Sequence, residues 1–161
     1  MPPQVAARIA ELGRLGPAEF AAKRAPALLA DPCARPDVLL AVERVMAGVR
    51  RPGYDHAARV LANGRLESDA AKIEVPAAVI MGSEDHILEP ASGHFAYAAL
   101  QTSASRTAFH YVYNAGHALC QEQPQEVAQR IIEFVEGRTD AKPEPAKRRQ
   151  AAAAERYPDG S

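Results

Sequence analysis

The chain has 161 residues, 47% of them hydrophobic, with 19 basic and 20 acidic side chains and a formal net charge of −1. That length suits one domain with a modest core, and the balanced charge gives no basic surplus to draw the chain onto a phosphate backbone or an anionic bilayer. Nucleic acid and membrane are therefore excluded as expected partners. No run approaches the roughly 18 uninterrupted apolar residues of a membrane span. The opening Met1-Pro2-Pro3-Gln4 is not the cationic start of a secretion signal, so a cytoplasmic protein is expected. The two cysteines, Cys33 and Cys120, form neither a disulfide framework nor a CxxC pair and are expected to be small buried hydrophobes.

From Val5 to about Leu66 the sequence is rich in Ala, Leu and Arg. It is punctuated by Gly13, Gly16-Pro17, Asp31-Pro32 and Pro52-Gly53, which predicts a series of short helices. The clearest places Val38, Leu39, Val42, Val45, Met46 and Val49 on one apolar stripe of a helix opened by Pro36. Residues 1–70 are accordingly read as one helical segment.

Periodicity changes at Ile73. Residues 75–81, short, apolar and β-branched, predict a buried strand with a proline near its start. The loop Gly82 to Pro90 follows, then a helix over 91–101 with Phe95, Ala98 and Ala99 on one side. A second strand is expected over 109–113, and then a loop from Asn114 to Pro124. Pro124 then opens an amphipathic helix, with Val127, Ile131, Phe134 and Val135 on its apolar face and Gly137 as its stop. Beyond it, residues 138–161 mix Lys, Arg, Ala, Glu and Pro without a core pattern. They are expected to be a disordered tail, with Lys147-Arg148-Arg149 a solvated charge run and Ala151 to Glu155 at most a transient helix.

A strand, helix, strand order makes the two strands parallel, so the loops after them emerge at one carboxyl edge of the sheet, where α/β proteins bind ligands. If the strands are neighbours, roughly 4.8 Å apart, Asp85 and His117 fall within hydrogen-bonding reach. A carboxylate there fixes the imidazole tautomer and stabilises the imidazolium formed when the ring takes a proton, which suits general-base catalysis.

At these residues the chain resembles the α/β-hydrolases. Val75-Pro76 through Gly82-Ser83-Glu84-Asp85 is similar to their acid strand and loop. Asn114-Ala115-Gly116-His117, with Glu122-Gln123-Pro124-Gln125-Glu126-Val127 and the helix through Ile131 to Val135, is similar to their histidine loop and closing helix, and the acid precedes the histidine as in that family. The helical segment, with Phe20-Ala21-Ala22-Lys23-Arg24 and Pro52-Gly53-Tyr54, resembles the cap of esterase- and lactonase-like members. The resemblance spans residues 5–137. It implies an α/β class in which a helical cap precedes a β-α-β-α unit of parallel sheet, the C-terminal half (71–137) of the hydrolase core. Asp85 and His117 become two members of a catalytic triad acting on an ester, lactone or related acyl substrate, without a cofactor.

The family places its nucleophile in a G-x-S-x-G elbow, and Ser68, Ser83, Ser92, Ser103, Ser105 and Ser161 all lack glycines two residues away on both sides. The oxyanion-hole loop is missing as well, so residue 1 is expected to begin after half of the domain. Ser83 as a substitute nucleophile has the wrong setting, ahead of the acid in the same loop. Metal binding by Asp85, His86, His94, His110 and His117 lacks an HxxxH or HExxH pair, so no metal is expected and the other histidines are read as surface or packing residues. Two strands seldom stand alone. The chain is thus expected to self-associate or to dock on a partner chain supplying the nucleophile half, the alternative being a non-catalytic interaction module.

Overall fold

The computed structural model describes residues 2–64 and 69–138. Ser68 and the expected tail lie outside the described residues, apart from Arg138 at the tail's start. The helical segment comprises α1 (Pro3–Arg24), a 3-10 turn (Ala25–Leu28), α2 (Pro36–Ala47) and α3 (Arg51–Asn63). The rest is β1 (Ala77–Gly82), α4 (Pro90–Leu100), β2 (Thr107–Val112), a single turn α5 (Leu119–Glu122) and α6 (Pro124–Val135).

The helical segment obeys its proline and glycine signals selectively. Gly16-Pro17 breaks α1: Gly16 takes φ 77° and ψ 168°, because the residue before proline is pushed out of the helical region and glycine tolerates positive φ. Gly13 stays helical, and its missing side chain leaves room for the Arg51 guanidinium, which an added Cβ would meet at 2.9 Å. Pro52-Gly53 does not interrupt a helix but sits in the first turn of α3, where proline's missing N–H has no intrahelical partner to lose. Val38 and Val42 of α2 are buried with Ala25 and Leu29, and Leu28, Leu39 and Met46 pack around them. Val45, expected on that stripe, is exposed: the cluster takes Val38 and Val42 with Leu39 and Met46 beside them, a narrower face than the apolar stripe.

The two strands pair in parallel, with Ala77 opposite Thr107 and so in register to Gly82 opposite Val112. Side chains of a strand alternate between faces. Met81 and Phe109, with Val79 and Tyr111 beside them, pack on Tyr97 of α4; Val112 and Ala115, with Ile80, pack on Val127 of α6. Each face of the sheet therefore carries one helix, the arrangement parallel sheets require. The Tyr97 and Phe109 rings meet edge to face at 5.7 Å, a geometry worth about 0.5–1.5 kcal/mol beyond the area it buries. Most of β2 is buried, whereas β1 is only half-buried until Met81 and Gly82, although its sequence is the more uniformly apolar.

Four further expectations are corrected. Both strands are displaced: β1 starts at Ala77, leaving Val75 outside it and 66% exposed, and β2 runs over 107–112. On α4 the buried positions are Gly93, Tyr97 and Leu100, while Phe95 is 69% exposed. Apolar residues surround this helix, so hydrophobicity does not select a face, and Gly93 does by letting the backbone approach Met81. On α6 Val127 is buried, but Ile131 and Val135 are exposed. Cys33 and Cys120 are exposed too: the Cys33 amide donates to Asp31 Oδ1 at 2.9 Å in an Asx turn that turns the side chain outward, and the inner side of α5 is occupied by Leu119 and Glu122. Among the described residues no helix is long and apolar enough to cross a membrane.

Candidate active site

The loops that leave β1 and β2 run side by side at the carboxyl edge of the sheet. The strand ladder continues into them through the Ser83 amide on the Val112 carbonyl and the Glu84 amide on the Ala115 carbonyl, both 2.9 Å. Gly82 makes this approach possible. An added Cβ would stand 2.8 Å from the Ala115 carbonyl carbon and closer still to the carbonyl oxygens of Ala115 and Gly116. Asn114 starts the second loop at φ 59°, a left-handed conformation that asparagine adopts more readily than other side chains. Ser83 ties the loops together, its Oγ accepting the Asn114 amide at 3.1 Å and donating to Glu84 Oε1 at 3.2 Å. That hydroxyl is a brace within the loops, bonded to Glu84 and the Asn114 amide.

Asp85 and His117 meet where they were expected to. Oδ1 of Asp85 accepts the amides of Ile87 (2.8 Å) and Leu88 (3.0 Å), which fixes the carboxylate plane, and Oδ2 lies 2.9 Å from His117 Nδ1. The Asp85 side chain is 6% exposed and that of His117 38%, so the carboxylate is shielded while the imidazole reaches the surface. Burial pushes the Asp85 carboxyl up, but the hydrogen bonds from Leu88, His117 and Ile87 outweigh it and hold the group below its ordinary value. An ionised carboxylate only accepts hydrogen bonds, so Nδ1 carries the proton and Nε2 is the nitrogen left to take one.

The other histidines do not join the pair. His86 is exposed, His94 pairs through Nε2 with the Tyr111 hydroxyl at 3.0 Å, and His110 is buried on the α6 face of the sheet. Burial, reinforced by the nearby Arg130, lowers the pKa of His110. Among the described residues no group of three or more His, Cys, Asp or Glu side chains is placed to hold a metal ion.

Glu122 received no role from the sequence. It is 4% exposed; Oε2 accepts the Gly116 amide at 2.6 Å and Oε1 the Ala30 amide at 2.7 Å. The one signal was chemical: a carboxylate between a glycine-histidine loop and a helix-opening proline, where turning backbone needs an acceptor. The segment following the 3-10 turn is thereby held against the histidine loop, and the Ala118 amide adds a bond to the Leu28 carbonyl at 2.8 Å.

This arrangement, with acid and histidine on adjacent parallel strand ends, is that of a partial α/β-hydrolase fold, and comparison with solved structures agrees. The chain is similar to the enol-lactonase of Burkholderia xenovorans (TM-score 0.71, 21% identity, 81% of this chain and 49% of that one). It is similar to a thermophilic esterase of Thermogutta terrifontis (0.72, 22%, 85% and 52%) and to a bromoperoxidase of Bacillus anthracis (0.65, 17%, 82% and 48%). The chain thus spans about half the length of each of these structures. No protein-family model and no curated protein matches the sequence.

Proposed function

We propose that Asp85 and His117 are the acid and the general base of a serine-hydrolase centre acting on a small ester, lactone or related acyl substrate, the serine coming from polypeptide outside these 161 residues. The observation that carries this reading is the 2.9 Å bond between a shielded, ionised carboxylate and Nδ1 of a half-exposed imidazole. In such a centre Nε2 removes the serine proton as Oγ attacks the acyl carbon, Asp85 stabilises the imidazolium, and the same proton passes to the leaving group. Ester and lactone substrates suit the names of two similar structures, an esterase and an enol-lactonase. Residues 1–70 act as the cap over the acyl site. Free cysteines suit a reducing, cytoplasmic setting.

The partner in this proposal is a chain carrying the first half of the sheet and a G-x-S-x-G elbow. It seats on β1, whose half-buried apolar side chains and exposed neighbour Val75 fit an inner strand better than an edge. Hydrolysis of a chromogenic ester is measured with this chain alone and mixed with such a serine-bearing half. The expected result is turnover only in the mixture, abolished by His117→Ala. Absence of turnover in both favours the second reading, a non-catalytic module that binds through the β1 edge. Size-exclusion and thermal melting of the isolated chain test the seating itself: self-association or a shallow melt is expected, and a monomer with a sharp cooperative transition counts against it.

A further inference from the structure

Glu122 is the most deeply buried carboxylate near the site, and the hydrolase reading assigns it nothing to do. Its two oxygens divide between two strangers in sequence: Oε2 takes the amide of Gly116, the residue immediately before the base, and Oε1 takes the amide of Ala30, just after the 3-10 turn. Both bonds are short, as charge-assisted bonds are. The backbone around them leaves no slack. An added Cβ on Gly116 would lie 2.7 Å from Ala30 N, Leu28 O and Leu29 C, all main-chain atoms, and the Glu122 carbonyl is itself held by Arg35 Nη1 at 3.2 Å. The His117 backbone therefore has a shelf on one side, the 28–30 segment, and Glu122 clamps it there. On the other side the Ala115 carbonyl is bonded to the acid loop through the Glu84 amide.

We infer that Glu122 is a positioning residue for the base: by fixing the Gly116 amide against Ala30 it sets the height of the histidine loop, and so brings Nδ1 of His117 onto Asp85. This rests on the hydrolase reading of the pair, and it predicts a division of labour in which Asp85 orients the ring and Glu122 orients the loop that carries it.

The test needs no substrate and uses the whole chain. The proton on His117 Nδ1 is followed by NMR as a slowly exchanging downfield resonance, identified by its loss in Asp85→Asn. In Glu122→Gln, which keeps the shape but presents an amide donor to one of the two backbone N–H groups, that resonance is expected to shift upfield or disappear while the Phe109 and Tyr97 ring signals of the sheet core stay in place. Glu122→Asp, a methylene shorter, is expected to restore it only in part. A merely structural carboxylate would lower the melting temperature and leave the resonance where it was, which would overturn the inference. Outright unfolding of the isosteric Gln variant would also overturn it, by making Glu122 a determinant of folding instead of placement. Ring nitrogen-15 shifts in the unmodified chain that put the neutral ring's proton on Nε2 would be a different failure, since they remove the Asp85–His117 pair itself and the hydrolase reading with it.

Discussion

Gly82→Ala tests the packing that brings the two loops together. The new Cβ would stand 2.8 Å from the Ala115 carbonyl carbon, against about 3.5 Å or more for carbon atoms in contact. The obstacle is main chain from two consecutive residues, so no rotamer change relieves it. The carbonyl oxygens of Ala115 and Gly116 stand closer still, so the histidine loop must retreat by at least about 0.7 Å, and the Asp85 to His117 separation, now 2.9 Å, would open to about 3.6 Å or more, beyond a hydrogen bond. Crowding of this kind in a filled interior costs about 1–3 kcal/mol, which lowers the melting temperature of a domain this size by roughly 3–10 °C. Gly93→Ala is the control: the nearest atoms its Cβ would meet all belong to the Met81 side chain, which is flexible, and a drop less than half as large is expected. Calorimetry of both variants, with the His117 Nδ1 proton followed by NMR, decides the matter. Equal melting temperatures for Gly82→Ala and the parent, or an intact Nδ1 proton in Gly82→Ala, would refute the reasoning.

Asp85→Asn should turn the His117 ring to the wrong tautomer, because the new amide can donate to Nδ1; in an active complex with a serine-bearing half, turnover is expected to fall about 10⁴-fold, and a loss under tenfold would sink the triad assignment. The pKa of buried His110 is lowered, so the fold resists its protonation. Its stabilising neutrality is complete above the ordinary histidine range and is lost as the pH falls toward the folded value. The melting temperature should therefore drop between pH 7.5 and 5, and His110→Leu should shrink that drop; an undiminished drop would mean that other groups cause it. The pKa of Asp85 is also lowered, so its contribution persists above the ordinary carboxylate range and disappears only as the pH falls through its folded value. Asp85→Asn should flatten that acid limb of the melting curve. Phe109→Ala empties the centre of the sheet's α4 face and should cost about 3–5 kcal/mol in urea unfolding; less than 1 kcal/mol would mean that the aromatic cluster does not hold the sheet.

The parallel pair of strands and the meeting of Asp85 with His117 were legible because they follow from the order of elements. Two strands joined through one helix must release their loops at the same edge, and glycine after an apolar run marks where β1 ends. The face of α4 was not legible, since Phe95 and Ala98 compete with Tyr97 and Leu100 on hydrophobicity alone; an approach through Gly93 decided between them, which only a three-dimensional neighbour, Met81, reveals. Cys33 went astray because a residue-type average for burial yields to a local turn built by Asp31, and Cys120 because Leu119 and Glu122 take the inner side of its helical turn. Glu122 left only a faint trace of its role in the sequence, its place between the glycine-histidine loop and Pro124. Its partners, Gly116 and Ala30, are backbone amides, and backbone amides carry no sequence signature.

The bond from Ala30 to Glu122 closes a loop of 92 residues, and closing a flexible loop of that length costs about 4 kcal/mol of chain entropy before any contact repays it. The histidine loop is thus expected to be among the last parts of the molecule to reach its final place, so kinetic traps during refolding should yield chains with native helix content and a misplaced His117 imidazole.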